Sequence, residues 1–344
     1  MNHEHYMQLA LDLAQQGWPN VASNPMVGCV IVHNNTVVAQ GYHESYGLAH
    51  AEVNAIHDLN TEIDPKECVL YVSLEPCSHH GKTPPCADLI IHKGFKTVVV
   101  ACKDPNPLVS GNGIAKLKQA GINVIEGILE PEAKKLNKRF ITFFEKKRPY
   151  YILKWAQTAD GFISRDPLPA HKADNKISGP EAQKMVHALR ASEMAIMVGK
   201  NTVLMDDPSL TTRLVEGKNP IRIFIDKNLE VLEVFNIYAK DAETIVFNGV
   251  KDEIREHIQF IKLNFEVNIL SQISDKLVEL NIQSVLVEGG TTLLNDFIQQ
   301  NIFDEIWVFE NPNLKFGTGK KAPHMNLVGH FDSVGHDKLY KFLG

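Results

Sequence analysis

The sequence has no apolar run approaching the ~20 residues a membrane-spanning helix needs, so no membrane partner is expected. It has no excess of positive charge: 35 Lys and Arg stand against 41 Asp and Glu, a net charge of −6. That balance leaves the whole chain without an electrostatic footprint for nucleic acid. Cysteine is scarce, five in 344 residues, which excludes a disulfide scaffold and fits a reducing compartment. The first residues, MNHEHYMQLALDLAQQG, lack the basic start and unbroken apolar core of a secretory signal, so a cytoplasmic location is expected. A GxGxxG dinucleotide fingerprint is also missing after the strand-like run 284–287. The remainder is ordinary globular composition, 44% hydrophobic and 22% charged, with length for two domains.

What is present centres on one stretch. His50-Ala51-Glu52 is followed by Pro76-Cys77 and then by Cys86, with eight residues between the two cysteines. One imidazole and two thiols suit zinc, whose catalytic sites hold three protein ligands and leave a fourth position for water. Glu52 then reads as a proton shuttle and not a ligand, taking a proton from the water and delivering it to a leaving group. A structural zinc site is the competing reading, but such sites generally use four protein ligands. Pro84 and Pro85 before Cys86 read as a helix start, and Gly94 as its stop. A helix N-terminus favours the thiolate at Cys86. Cys29, Cys68 and Cys102 each lie in apolar strand-like runs and read as core.

Taken in order, apolar spacing predicts a helix over 5–16, a hairpin of 27–32 with 37–42, and a helix carrying Glu52. Strands are expected at 68–73, 97–101 and 123–126, linked by helices at 87–92 and 114–120, hence a largely parallel sheet. One helix is expected over 130–147, ending before Arg148-Pro149 and marking the domain boundary. Beyond it, strands at 150–156, 195–199, 221–226, 244–248, 284–287 and 306–310 again alternate with helical segments. Glu288-Gly289-Gly290-Thr291-Thr292 reads as strand, turn and helix start, where bare amides suit a phosphate. Taken alone, that Gly pair is equally a tight turn.

Base deaminases with a zinc centre carry H-x-E and then P-C-x-x-C. Here the second half departs, as PCSHHGKTPPC. With Asn24-Pro25-Met26-Val27-Gly28 upstream, this stretch resembles the bifunctional riboflavin-biosynthesis family, which joins a pyrimidine deaminase to a reductase. The second half is similar to that family's dihydrofolate-reductase-like part at LKWAQTADGFIS, SGPEAQKMVHALRA, VGKNTVLMDDPSLTTR and VLVEGGTTLLN. The resemblance implies a cytidine-deaminase-like three-layer α/β domain over 1–147 and a dihydrofolate-reductase-like domain over 148–344. It implies one zinc per chain on His50, Cys77 and Cys86 with Glu52 catalytic, and NADPH as reductant.

Matched position by position, Ala156, Thr202, Asp206, Gly290, Thr291, Thr292 and Leu293 fall at cofactor contacts. Asn24, His43, Lys82, Thr83, Asn106, Arg190, Leu210, Arg213 and Glu288 fall at substrate contacts. Arg190 and Arg213 are expected to fork onto a sugar phosphate. The sequence departs from the family at Asp174, which would repel a phosphate, and at Lys176, which replaces a ring. The implied substrate is 2,5-diamino-6-ribosylamino-4(3H)-pyrimidinone 5′-phosphate, deaminated and then reduced at its ribosyl group, by a homo-oligomer. Two other readings stand beside it. One is a nucleic-acid or free-nucleotide cytidine-type deaminase with an accessory binding domain; the other is a non-catalytic zinc module.

Overall fold

The computed structural model describes residues 2–78, 84–107, 109–167 and 172–344. The expected contacts Lys82 and Thr83 lie outside them. The chain divides into two compact units, Met1–Lys147 and Arg148–Gly344. No helix among the described residues is long and apolar enough to cross a membrane.

The first unit begins with α1 (His3–Gln15), whose first turn is capped by the Asn2 side chain accepting from His5 N. A hairpin of β1 (Gly28–His33) and β2 (Thr36–Tyr42) leads to α2 (Ala51–Asp58). Then come β3 (Cys68–Val72), α3 (Cys86–Lys93), β4 (Thr97–Val100), α4 (Asn112–Gln119) and β5 (Asn123–Glu126). The sheet order is β2-β1-β3-β4-β5. It is parallel only from β3 to β5; β1 pairs antiparallel with both β2 and β3. The expectation of a largely parallel sheet is corrected to that extent, because the two-residue Asn34-Asn35 turn can join only antiparallel strands. β1, Gly-Cys-Val-Ile-Val-His, is buried on both faces, its β-branched residues packed by helices from either side. Cys29, Cys68 and Cys102 are buried, as expected of core residues.

Two corrections bear on the helices. The single helix expected over 130–147 is two, α5 (Glu130–Leu136) and α6 (Lys138–Lys146). Asn137 separates them, and its buried side chain accepts from Met26 N at 2.8 Å and donates to Met26 O at 2.9 Å. That pairing ties the break to the loop that carries Asn24. Helix α2 is seated on β2 at Gly41, where a Cβ would lie 2.4 Å from Ala55 N. Asn54 Nδ2 also donates to Tyr42 O at 2.8 Å. The close approach sets where α2 begins, and therefore where His50 and Glu52 stand.

The second unit runs through β6 (Tyr150–Thr158), β7 (Phe162–Ser164), α7 (Pro180–Ser192), β8 (Ala195–Gly199) and α8 (Lys200–Asp206). It continues with β9 (Ile221–Ile225), β10 (Thr244–Asn248), β11 (Glu253–Arg255), β12 (Ile258–Lys262) and α9 (Ile269–Glu279). β13 (Ser284–Val287), α10 (Thr291–Gln299), β14 (Glu305–Asn311), β15 (Lys320–Lys321), β16 (Asp332–Val334) and β17 (Asp337–Leu343) complete it. Its main sheet has the order β11-β12-β10-β9-β8-β13-β6-β14-β17-β16. Every pair from β12 to β14 is parallel, and the pairs at either end are antiparallel. Parallel strands bind at their carboxyl ends, where the loops to the crossover helices leave an open crevice.

Candidate functional site

In the first unit, three segments converge. His50 is the N-cap of α2, Cys77 follows β3, and Cys86 is the first residue of α3. His50 Nδ1 lies 3.6 Å from Cys77 Sγ and 3.3 Å from Cys86 Sγ. Cys86 N donates to Cys77 Sγ at 3.3 Å. The three donor atoms all fall within 4.8 Å of one another. Ligands bound at 2.0–2.3 Å around a tetrahedral zinc are about 3.5 Å apart, so one imidazole and two sulfurs at these separations fit that ion. The start of α3 turns partial positive charge toward Cys77 Sγ, through Cys86 N. The Cys77 thiol drops to about 4, chiefly through its hydrogen bond with Cys86; burial opposes the fall and His50 adds to it, while Cys86 rises well above the usual range. A bound dication would favour the thiolate at both positions.

Glu52 sits one helical step on, in the first turn of α2, and is buried. Burial pushes its carboxyl up to about 7; His50 opposes the rise and Cys77 adds to it. A carboxyl poised near neutrality can both take and give a proton. His43 is buried beside His50, their ring centroids 5.6 Å apart. Its Nδ1 donates to Ala49 O at 3.0 Å, leaving Nε2 to accept from Asn24 Nδ2 at 3.1 Å. The structure therefore brings Asn24, His43, His50 and Glu52 together. Asn106 lies on the loop after β4, its backbone N donating to Asp104 Oδ1 at 2.8 Å.

The second unit holds a cavity of about 630 Å³ at the carboxyl ends of β8, β9 and β13. Ala156, Thr202, Asp206, Gly290, Thr292, Leu293 and Glu288 line it. Gly199 and Gly290, the N-caps of α8 and α10, carry no capping side chain. The orphan amides of α10, a nine-residue helix, face a space that a pyrophosphate could fill, so the residues fit a dinucleotide. Lys176, noted above as a departure, is on the wall; Asp174 is exposed and is not among the lining residues.

Four expected contacts lie off the cavity wall. Thr291 Oγ1 donates to Lys321 O at 2.5 Å, and Thr291 is not on the cavity wall. Leu210 has a buried side chain, packed in the cluster that includes Leu189, Val203 and Phe224. Arg190 commits its fork internally: Nε and Nη2 each donate to the Glu288 carboxylate at 2.9 Å. Arg213 donates from Nη1 to Thr211 Oγ1 at 2.7 Å, and neither arginine lines the cavity. The paired fork on a sugar phosphate is not assembled.

Sequence reasoning missed Lys154 and His187. Lys154 Nζ lies 3.6 Å from Glu288 Oε2 and on the cavity wall. Burial alone would raise the Glu288 carboxyl, but the Arg190 guanidinium and then Lys154 outweigh it and hold it at about 2. Burial lowers the Lys154 ammonium, and Glu288 opposes that. The available signal was a lone cation inside the otherwise apolar and aromatic strand segment Leu153-Lys154-Trp155. His187 Nδ1 accepts from Arg213 N at 3.0 Å; burial, Arg190 and Arg213 hold its imidazole down at about 4, neutral as that acceptor must be.

Comparison with known proteins agrees on both units. Residues 149–325 match the family model described as RibD C-terminal domain, and 1–102 match the cytidine and deoxycytidylate deaminase zinc-binding region. The riboflavin biosynthesis protein RibD of Aquifex aeolicus (strain VF5) is 42% identical, over 90% of this chain and 87% of that protein. That of Escherichia coli (strain K12) is 37% identical, over 99% and 95%. A solved diaminohydroxyphosphoribosylaminopyrimidine deaminase/5-amino-6-(5-phosphoribosylamino)uracil reductase from Thermotoga maritima superposes with a TM-score of 0.86 at 38% identity, covering 98% and 97% of the two chains. Acinetobacter baumannii RibD superposes with a TM-score of 0.86 at 30% identity, covering 99% and 98%. The zinc-type donor set and the dinucleotide-sized cavity thus have one joint explanation: the chain belongs to the RibD family of riboflavin biosynthesis and is a deaminase and a reductase in one polypeptide.

Proposed function

We propose that residues 1–147 deaminate 2,5-diamino-6-ribosylamino-4(3H)-pyrimidinone 5′-phosphate and that residues 148–344 then reduce its ribosyl group to ribityl with NADPH. The observation that carries this reading is the buried Glu52 carboxyl beside the convergent donor atoms of His50, Cys77 and Cys86. Those three residues would hold one zinc, which when bound supplies the Lewis acidity that makes water nucleophilic at neutral pH. Glu52 takes the proton of the attacking water and passes it to the exocyclic nitrogen, and the ring carbon exchanges its C–N bond for C–O. Ammonia leaves. The amide nitrogen of Asn24 is held by His43, which leaves the amide oxygen to accept from a ring N–H of the pyrimidine. Asn106 approaches from the loop after β4.

In the second unit, Gly290, Thr292, Leu293, Thr202, Ala156 and Asp206 would hold the dinucleotide, which supplies a hydride. Lys154 and Glu288 stand on the wall of the same cavity, paired and largely out of water. Lys176, Lys200 and Lys320 on the wall supply positive charge suited to the additional phosphate of NADPH. Arg190 supports this site through Glu288, and Arg213 is left as the arginine for the substrate phosphate. Assembly as a homo-oligomer follows the family resemblance and is read by sedimentation. The five free cysteines suit the reducing cytoplasm.

The test is incubation of zinc-loaded protein with the diaminopyrimidine ribosyl phosphate, with ammonia release and NADPH oxidation followed separately. Chelation of the metal is expected to lower ammonia release by about a hundredfold or more, and added zinc to restore it. NADPH oxidation with the deaminated intermediate should continue in the chelated protein. Ammonia release at an undiminished rate from metal-free protein would sink the reading.

A further inference from the structure

The deaminase site has a second buried carboxylate that touches neither metal ligand nor expected substrate contact. Glu75 precedes Pro76-Cys77 and is 4% exposed. No ion pair found among the described residues involves it. Its carboxylate accepts four backbone N–H groups instead. Oε2 takes Asp104 N at 3.2 Å and Gly111 N at 2.9 Å. Oε1 takes Gly113 N at 2.9 Å and Ile114 N at 3.2 Å.

The last two belong to the N2 and N3 positions of α4, the groups an N-cap side chain ordinarily satisfies. The N-cap of α4 is Gly111, at φ +75°, with no side chain to do so. Glu75 caps the helix from another segment, and its negative charge sits where the helix dipole favours it. The approach is close: a Cβ on Gly113 would fall 1.9 Å from Pro76 O. The same carboxylate also grips the loop that carries Asn106 at both ends, at Asp104 and at Gly111. Asp104 in turn accepts from Asn106 N at 2.8 Å, and Asn106 O accepts from Ser110 N at 2.9 Å. On its other side Glu75 continues directly into Cys77, whose carbonyl accepts from Ala87 N at 3.1 Å in the Cys86 helix.

We infer that Glu75 is a positioning residue for deamination, fixing the Asn106 loop against the segment that carries the metal ligand Cys77. The inference rests on the reading of Asn106 as a substrate contact. Four amide donors on one carboxylate hold both ends of that loop in a single geometry relative to Cys77. Substrate and attacking water then meet without the loop having to order on each turnover. A glutamine has the same shape but offers one acceptor oxygen and a donating NH₂, so it opposes two of the four amides.

The test is a double-mutant cycle on the full zinc-loaded chain with E75Q, N106A and the double variant, reading kcat and KM for ammonia release. Metal content and NADPH oxidation with the deaminated intermediate serve as controls. E75Q should lower deaminase kcat/KM by about a hundredfold, with metal content and reductase turnover unchanged. N106A should lower it by about tenfold, and the double variant should fall no further than E75Q, because the loop is already misplaced. Multiplicative losses in the double variant overturn the proposal, since Glu75 would then act independently of Asn106. A normal E75Q beside a crippled N106A sinks the proposal alone. A fully active N106A sinks the reading of Asn106 and the proposal with it. Should E75Q not accumulate with metal, E75D, which keeps the charge but loses reach, takes its place. Failure of both variants to fold gives Glu75 a purely structural role and also overturns the proposal.

Discussion

Replacing Glu52 by Gln is expected to lower ammonia release by roughly 10³-fold, the range a positioned general acid–base group supplies. The side chain is buried at the first turn of α2, so an isosteric amide fits without repacking. It can still form hydrogen bonds but cannot carry a proton from water to a departing amine. His50, Cys77 and Cys86 are untouched, so metal content measured on the purified variant should match the parent. NADPH oxidation with the deaminated intermediate should likewise match, because the cofactor cavity belongs entirely to residues of the second unit. Deamination by E52Q at the parent rate would remove Glu52 from the mechanism.

The second large effect is on stability. Glu288 is the shared anion of Arg190 and Lys154, and all three side chains are nearly withdrawn from solvent. Glu288→Ala leaves two buried cations without a counter-charge, a defect that costs about 3–5 kcal/mol. At the slope expected for a unit of this size, its unfolding temperature should fall by roughly 10 °C, readable by calorimetry. The reductase should lose activity below that temperature too, since Glu288 and Lys154 line the cavity. The pH dependence follows from the same pair. The folded Glu288 carboxyl is held at about 2, below its ordinary value of 4.5, despite burial. Its contribution is therefore complete above about pH 4.5 and is lost as pH falls toward 2. The parent should lose thermal stability through that window, and Glu288→Gln should lose less of it. Equal acid slopes in the two proteins would show that the triad does not set acid stability.

The convergence of the candidate metal ligands was legible because its chemistry is local. His50 and Glu52 are two residues apart on one helix start, and Cys86 follows a Pro-Pro helix signal. Residue type together with turn chemistry is enough to read such a pattern. The parallel strands of the second unit were legible for the same reason, as β-branched runs bounded by turn residues; 195–199, 244–248 and 284–287 match β8, β10 and β13 to the residue. The break at Asn137 was not, since nothing in the apolar stripe of 130–147 reports a hydrogen bond to Met26, 111 residues away. Arg190 gives the sharper lesson. Its type suits a phosphate, but a carboxylate 98 residues distant occupies its fork.

Composition, ligand spacing and helix signals by themselves determined the two-unit α/β organisation, the candidate zinc donor set and the place of the carboxylate proposed to carry the proton. The tertiary structure alone decided which polar groups face a cavity and which face one another: Lys154 at the wall, Arg190 on Glu288, Leu210 in the core, and Glu75 across two loops. The division has a physical reason. Periodicity and capping report interactions within a few residues along the chain. The partner of a buried charge is set by whichever distant segment the packed sheet brings to it, and a buried charge must find one.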